Sequence, residues 1–80
     1  MVDNRDEFSV YTFTADGSSK CSCQFVSAAA AVARALILTR AVSAFIGQTT
    51  RVIITDGGDC IAYEWIFGQG QVFPPVLEKV

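Results

Sequence analysis

Two pairs of short stretches rich in β-branched and aromatic residues flank a middle segment, Val26 to Ile46, that is apolar nearly throughout. Phe8 to Thr14, FSVYTFT, is rich in aromatic and β-branched residues and reads as a strand. Asp16-Gly17 in the next stretch, ADGSS, is a turn signal. Lys20 to Phe25, KCSCQF, alternates strictly, with Cys21, Cys23 and Phe25 on one face and Lys20, Ser22 and Gln24 on the other. These two segments predict a first hairpin.

Ala28 to Ile46 is expected to form one continuous helix. Ser27 suits the N-cap, a run of alanines starts the segment, and Gly47 suits the position just past its end. At ~1.5 Å per residue that helix would be ~28 Å long, somewhat longer than a six-residue strand. Thr50 to Thr55 and Cys60 to Phe67 flank Asp56-Gly57-Gly58-Asp59 and predict a second hairpin, with positive φ at both glycines. On its second strand Ile61, Tyr63, Trp65 and Phe67 share one face, and Cys60, Ala62, Glu64 and Ile66 the other. The last stretch, GQGQVFPPVLEKV, carries glycines and a Pro-Pro pair and is read as an extended tail.

The order is ββαββ, so the expected fold class is α+β. A four-stranded, mostly antiparallel sheet carries one long helix on one face. Residues 1–80 make a single domain, with 1–7 and 71–80 as flexible or partner-docking ends.

The helical segment poses a difficulty. A helix that only covers a sheet keeps a polar half. Here the polar residues Arg34, Thr39, Arg40 and Ser43 are scattered, and Val32, Leu36, Ile37, Leu38, Val42, Phe45 and Ile46 spread around the rest. Composition sharpens the point. Hydrophobic residues make up 51% of the 80 and charged residues 18%, against an average near ~25% charged. A domain of this size buries only ~60% of its unfolded surface. The expected resolution is a homo-oligomer, most simply a two-fold dimer, with Leu38, Val42, Phe45 and Ile46 at the interface. Helix-on-helix and sheet-on-sheet pairing are both open at this point.

Charge and residue type exclude several functions. Net charge is −2 with no basic run, so no nucleic-acid partner is expected. The absence of histidine removes the commonest general base and metal ligand, and no catalytic constellation replaces it, so the chain is expected not to be an enzyme. Val26 to Ile46 is long enough to span a bilayer, but Arg34 and Arg40 within it argue against a membrane. The N-terminal stretch lacks the layout of a signal peptide, and the cysteine count is odd. Both point to free thiols and a cytoplasmic protein. Zinc wants four ligands where Cys21, Cys23 and Cys60 supply three, so the cysteines are read as small buried hydrophobes and no cofactor is expected.

Trp65, Tyr63 and Tyr11 could line a small-molecule groove but are read as core, and a further candidate site is Asp56, Gly57, Gly58 and Asp59. Two carboxylates beside a tight turn suit a small molecule or a weakly held divalent cation, but the calcium-loop pattern is missing and turn chemistry explains the same residues. The leading expectation is therefore a small non-enzymatic cytosolic domain that self-associates and acts through protein contacts. The alternative is a small-molecule or divalent-cation module at this hairpin.

RVIITDGGDCIAYEW, with FGQGQVFPP after it and the acidic start DNRDEFSVY, resembles small uncharacterised bacterial proteins. The resemblance implies a bacterial cytosolic protein. It brings no activity and no functional residues.

Overall fold

The computed structural model of the chain describes residues 6–58 and 60–74. In chain order the elements are β1 (Phe8–Thr14), β2 (Ser19–Val26), α1 (Ala28–Arg40), α2 (Val42–Phe45), β3 (Thr49–Thr55), β4 (Ile61–Ile66) and β5 (Gly70–Phe73). The strands form one sheet in the order β2-β1-β3-β4-β5, and all neighbours are antiparallel. The fold class is α+β with one main helix, as expected. Three details differ from the sequence reading.

The first is a fifth strand. Gly70–Phe73, expected to be part of a tail, pairs with β4 through Glu64↔Phe73, Trp65↔Gln71 and Ile66↔Gly70. The prolines exclude a central strand, but an edge strand needs partners on one side only. Residues 75–80 lie outside the described part.

The second is the helix. It stops at Arg40, and Ala41 is extended (φ −72°, ψ 161°) before the short α2. Neither proline nor glycine breaks it. An unbroken helix of ~28 Å would overrun the seven-residue β3, ~23 Å long at ~3.3 Å per residue. The bend turns α2 back toward β3, burying Ala44, and Thr49 Oγ1 donates to Ser43 Oγ at 3.1 Å. Ser27 caps α1 as expected, its Oγ accepting from Ala30 N at 3.1 Å. Gly47 ends α2: its φ is +86°, Gln48 N donates to Ser43 O at 2.8 Å and Gly47 N to Ala44 O at 3.4 Å. That is the Schellman arrangement.

The third is strand alternation. Between Phe8 and Tyr11 the β1–β2 register shifts twice, placing Cys21 opposite Tyr11 and Cys23 opposite Val10. Successive residues of β1 face opposite sides, so the two thiols do too. Cys23 packs on the core while Cys21 and Cys60 are exposed, so the expected trio of buried hydrophobes is not found. Phe25, inside the same irregular stretch, has φ +55° and is 70% exposed. On β4 a bulge between Ile61 and Tyr63 breaks the alternation drawn from the sequence, and Ala62 and Tyr63 both reach the helix side.

The core lies between α1 and one sheet face. Val10, Val52 and Ile54 meet Ala31 and Ala35, with Phe8, Cys23, Val26, Leu38, Tyr63 and Trp65 around them. The helix side of that contact is alanine, so the backbone of α1 approaches the sheet closely. The open face of the sheet carries Tyr11, Phe13, Arg51, Ile53, Glu64 and Ile66. There Arg51 Nε donates to Glu64 Oε2 at 2.7 Å, and its guanidinium lies 5.1 Å from the centre of the Phe13 ring. Ile53, opposite Glu64 on the same face, is only 8% exposed.

The β1–β2 turn is an aspartate turn. Asp16 Oδ1 accepts from Thr14 Oγ1 at 2.5 Å and from Ser18 N at 2.9 Å. The Thr14 hydroxyl first, then the Ser18 amide, lower its pKa from 3.8 to about 2. The folded value is depressed, so its contribution to stability is complete above about pH 4 and lost as pH falls toward about 2. Chemical denaturation of wild type and Asp16→Asn across pH 2–5 is expected to show the two curves converging at the acid end. Gly47→Ala is expected to lower stability by ~1–3 kcal/mol in urea unfolding. A Cβ there sits at positive φ and 3.2 Å from the Phe67 ring.

Candidate functional site

The DGGD loop comes first because the sequence singled it out. Asp56 N donates to Cys60 O at 3.0 Å, closing a longer loop than the expected two-residue turn. Neither Gly57 nor Gly58 has positive φ, which corrects that expectation. The aspartate supplies what the glycines do not. Asp56 Oδ1 accepts from Gly58 N at 2.9 Å and from Cys60 N at 3.0 Å. The Glu7 side chain packs against Gly57, where an added Cβ would lie 2.9 Å from its Oε1. Asp59 lies outside the described residues. Among the described residues no group of three or more His, Cys, Asp or Glu is placed to hold a metal ion.

The helical layer offers a different kind of site. Of the nine large hydrophobic residues that are exposed among those described, six lie on or directly after the helices: Val32, Leu36, Ile37, Val42, Phe45 and Ile46. Phe45 is 85% exposed and Val42 74%. Of the four interface candidates, Val42, Phe45 and Ile46 are on this surface, whereas Leu38 is half-buried against the core. The six expose on the order of 600 Å², at the top of the ~300–600 Å² range for the largest patch on a typical monomer. Ala29, Ala30 and Ala33 of the same helix are also exposed.

Beside this surface runs a groove of about 380 Å³. Ala28, Val32 and Leu36 form its helix wall, and Phe8, Ile54, Ala62 and Tyr63 its floor. Gln71 and Pro74 close the β5 side. The groove exists because α1 rests over β3, β1 and β2 and leaves the β4–β5 side of the sheet uncovered. Burial in its wall pushes the Tyr63 phenol above its ordinary pKa of 10.0. Sequence reasoning missed Ala62, Gln71 and Pro74. For Gln71 and Pro74 the signal was the GQVF run before the prolines, which reads as an edge strand once a partner is allowed for it, whereas Ala62 reaches the groove through the β4 bulge.

No helix among the described residues is long and apolar enough to cross a membrane. Comparison of the chain with protein-family models, with curated proteins and with solved structures finds no match.

Asp56→Ala is expected to cost ~1 kcal/mol of stability, since two exposed loop hydrogen bonds are lost. The loss should be the same with and without millimolar calcium in thermal melts. Calcium stabilising wild type alone would instead make the loop a cation site.

Proposed function

We propose that this chain is a small non-enzymatic cytosolic domain that self-associates and acts through protein–protein contacts. The observation that carries the reading is the uneven treatment of the two outer surfaces. On the sheet side, the Arg51–Glu64 pair lies beside Phe13, and Phe73, opposite Glu64, is the one exposed large apolar side chain among the described residues of that face. On the helix side, six large apolar side chains have no cover among the described residues. Apolar area is driven out of water at roughly 25 cal/mol per Å², so a surface of this size favours association. The helical layer is thus the better supported interface of the two left open by the sequence. The non-enzymatic reading is supported by the lack of histidine and by the use of Asp16 and Asp56 as turn acceptors.

Light scattering on the purified protein tests the proposal. The expected mass at ~100 µM is twice the 8.6 kDa of one chain. A mass of 8.6 kDa at that concentration would remove the proposal.

A further inference from the structure

Self-association leaves open how two copies meet. Resting on that reading, we infer that the second copy docks antiparallel on α1 about a two-fold axis, so that Phe45 of each chain enters the groove of the other.

Placement carries the argument. The groove lies beside the first half of α1, against Ala62 and Tyr63 at the start of β4. α2 lies past the other end of the helix, and Gly47, just after it, rests on the ring of Phe67 at the far end of β4. Within α2, Ser43 turns to the β1–β2 side with Thr12, Lys20 and Ser22, and Ala44 is buried. Phe45, about 200° round the helix from Ser43, therefore turns to the β4 side. Groove and Phe45 thus occupy the same flank of α1, at opposite ends. A two-fold axis lying across α1 and parallel to the sheet exchanges the two ends and keeps the flank. It sets each α2 over its partner's groove. A parallel pair would leave both grooves empty.

Size and spacing agree. A cavity of about 150 Å³ takes a benzene ring, and this groove measures about 380 Å³. Phe45 is the most exposed large apolar side chain among the described residues. Halfway between Val32 in the groove wall and Phe45 the chain reaches Leu38 and Thr39, both half-buried, with Ile37 beside them. Ile37 is 58% exposed and lies within two residues of that midpoint, so it comes close to its own copy beside the axis. Ala29, Ala30 and Ala33 allow the two helices to approach. With these alanines the apolar patch comes near the ~800 Å² per partner of a standard interface.

Charge distinguishes the occupant. The helical layer carries Arg34 and Arg40 and no carboxylate. A second copy brings like charges together, so association should tighten as salt is raised. An acidic partner would bind more weakly in the same titration, and such weakening would overturn a second copy as the occupant.

The deciding measurements are mass by light scattering and cross-linking. Phe45→Glu should raise the dimer dissociation constant at least tenfold while leaving the circular dichroism spectrum unchanged. Ala62→Trp, which fills the groove, should do the same. With Cys21, Cys23 and Cys60 replaced by serine, Ile37→Cys should form a disulfide-linked dimer under mild oxidation. A wild-type dimer unaffected by Phe45→Glu, or failing to cross-link through Ile37→Cys, would overturn this arrangement and leave self-association standing. A dimer insensitive to Phe45→Glu but lost on removal of residues 75–80 would give the groove to the chain's own C-terminal segment. A monomeric wild type would overturn both.

Discussion

One helix of 13 residues has to cover a sheet of five strands, and it cannot. A helix is about 10–12 Å across with its side chains, while neighbouring strands are spaced at about 4.8 Å, so it shields two or three of them. α1 settles over β3, β1 and β2. The rest of the molecule answers to that choice. The β4–β5 flank is left as a groove, and the residues of α1 that are fully buried against the sheet are the small ones. Ala31 and Ala35 are buried, while Val32, Leu36 and Ile37 are exposed. The largest fully buried side chains are Val10 and Val52. The domain thus buries little of its bulk and displays much of it, and a second apolar surface adds burial that the single chain lacks.

The sheet's other boundaries are closed by different means. Its open face carries a cross-strand ion pair whose arginine also stacks on Phe13. At Arg51 and Glu64 exposures of 36% and 19%, that pair contributes little stability. Its effect is to place charge where a flat apolar face would otherwise invite another sheet. At one edge β2 is irregular, and at the other β5 is only four residues long. Both features discourage strand-to-strand addition. These features leave the helices as the face on which the proposed association rests.

Most of the architecture was legible in the sequence because its signals are local. Alternation and β-branching mark the strands, Ser27 caps α1, and Gly47 ends the helical region. The departures come from non-local causes. The bulges at Ser22, near Phe25 and at Ala62 depend on register with a neighbouring strand, and no pattern within KCSCQF or CIAYEWIF encodes them. The break at Ala41 follows from the length of the sheet. In the DGGD loop the sequence showed the right residues, but Asp56 holds the loop with its carboxylate where positive φ at the glycines was expected. The exposed patch was legible as an excess of apolar residues. The groove was not, because it is the remainder of a coverage problem that exists only in three dimensions.

The central claim is that the outer face of the helices is covered in solution by another copy of the chain. Methyl NMR with a soluble paramagnetic agent measures this directly. On going from ~1 mM to ~10 µM protein, the methyls of Leu36, Ile37, Val42 and Ile46 should pass from shielded to strongly broadened, while those of Val10 and Val52 stay shielded throughout. Equal and strong broadening of the helical methyls at every concentration would contradict it.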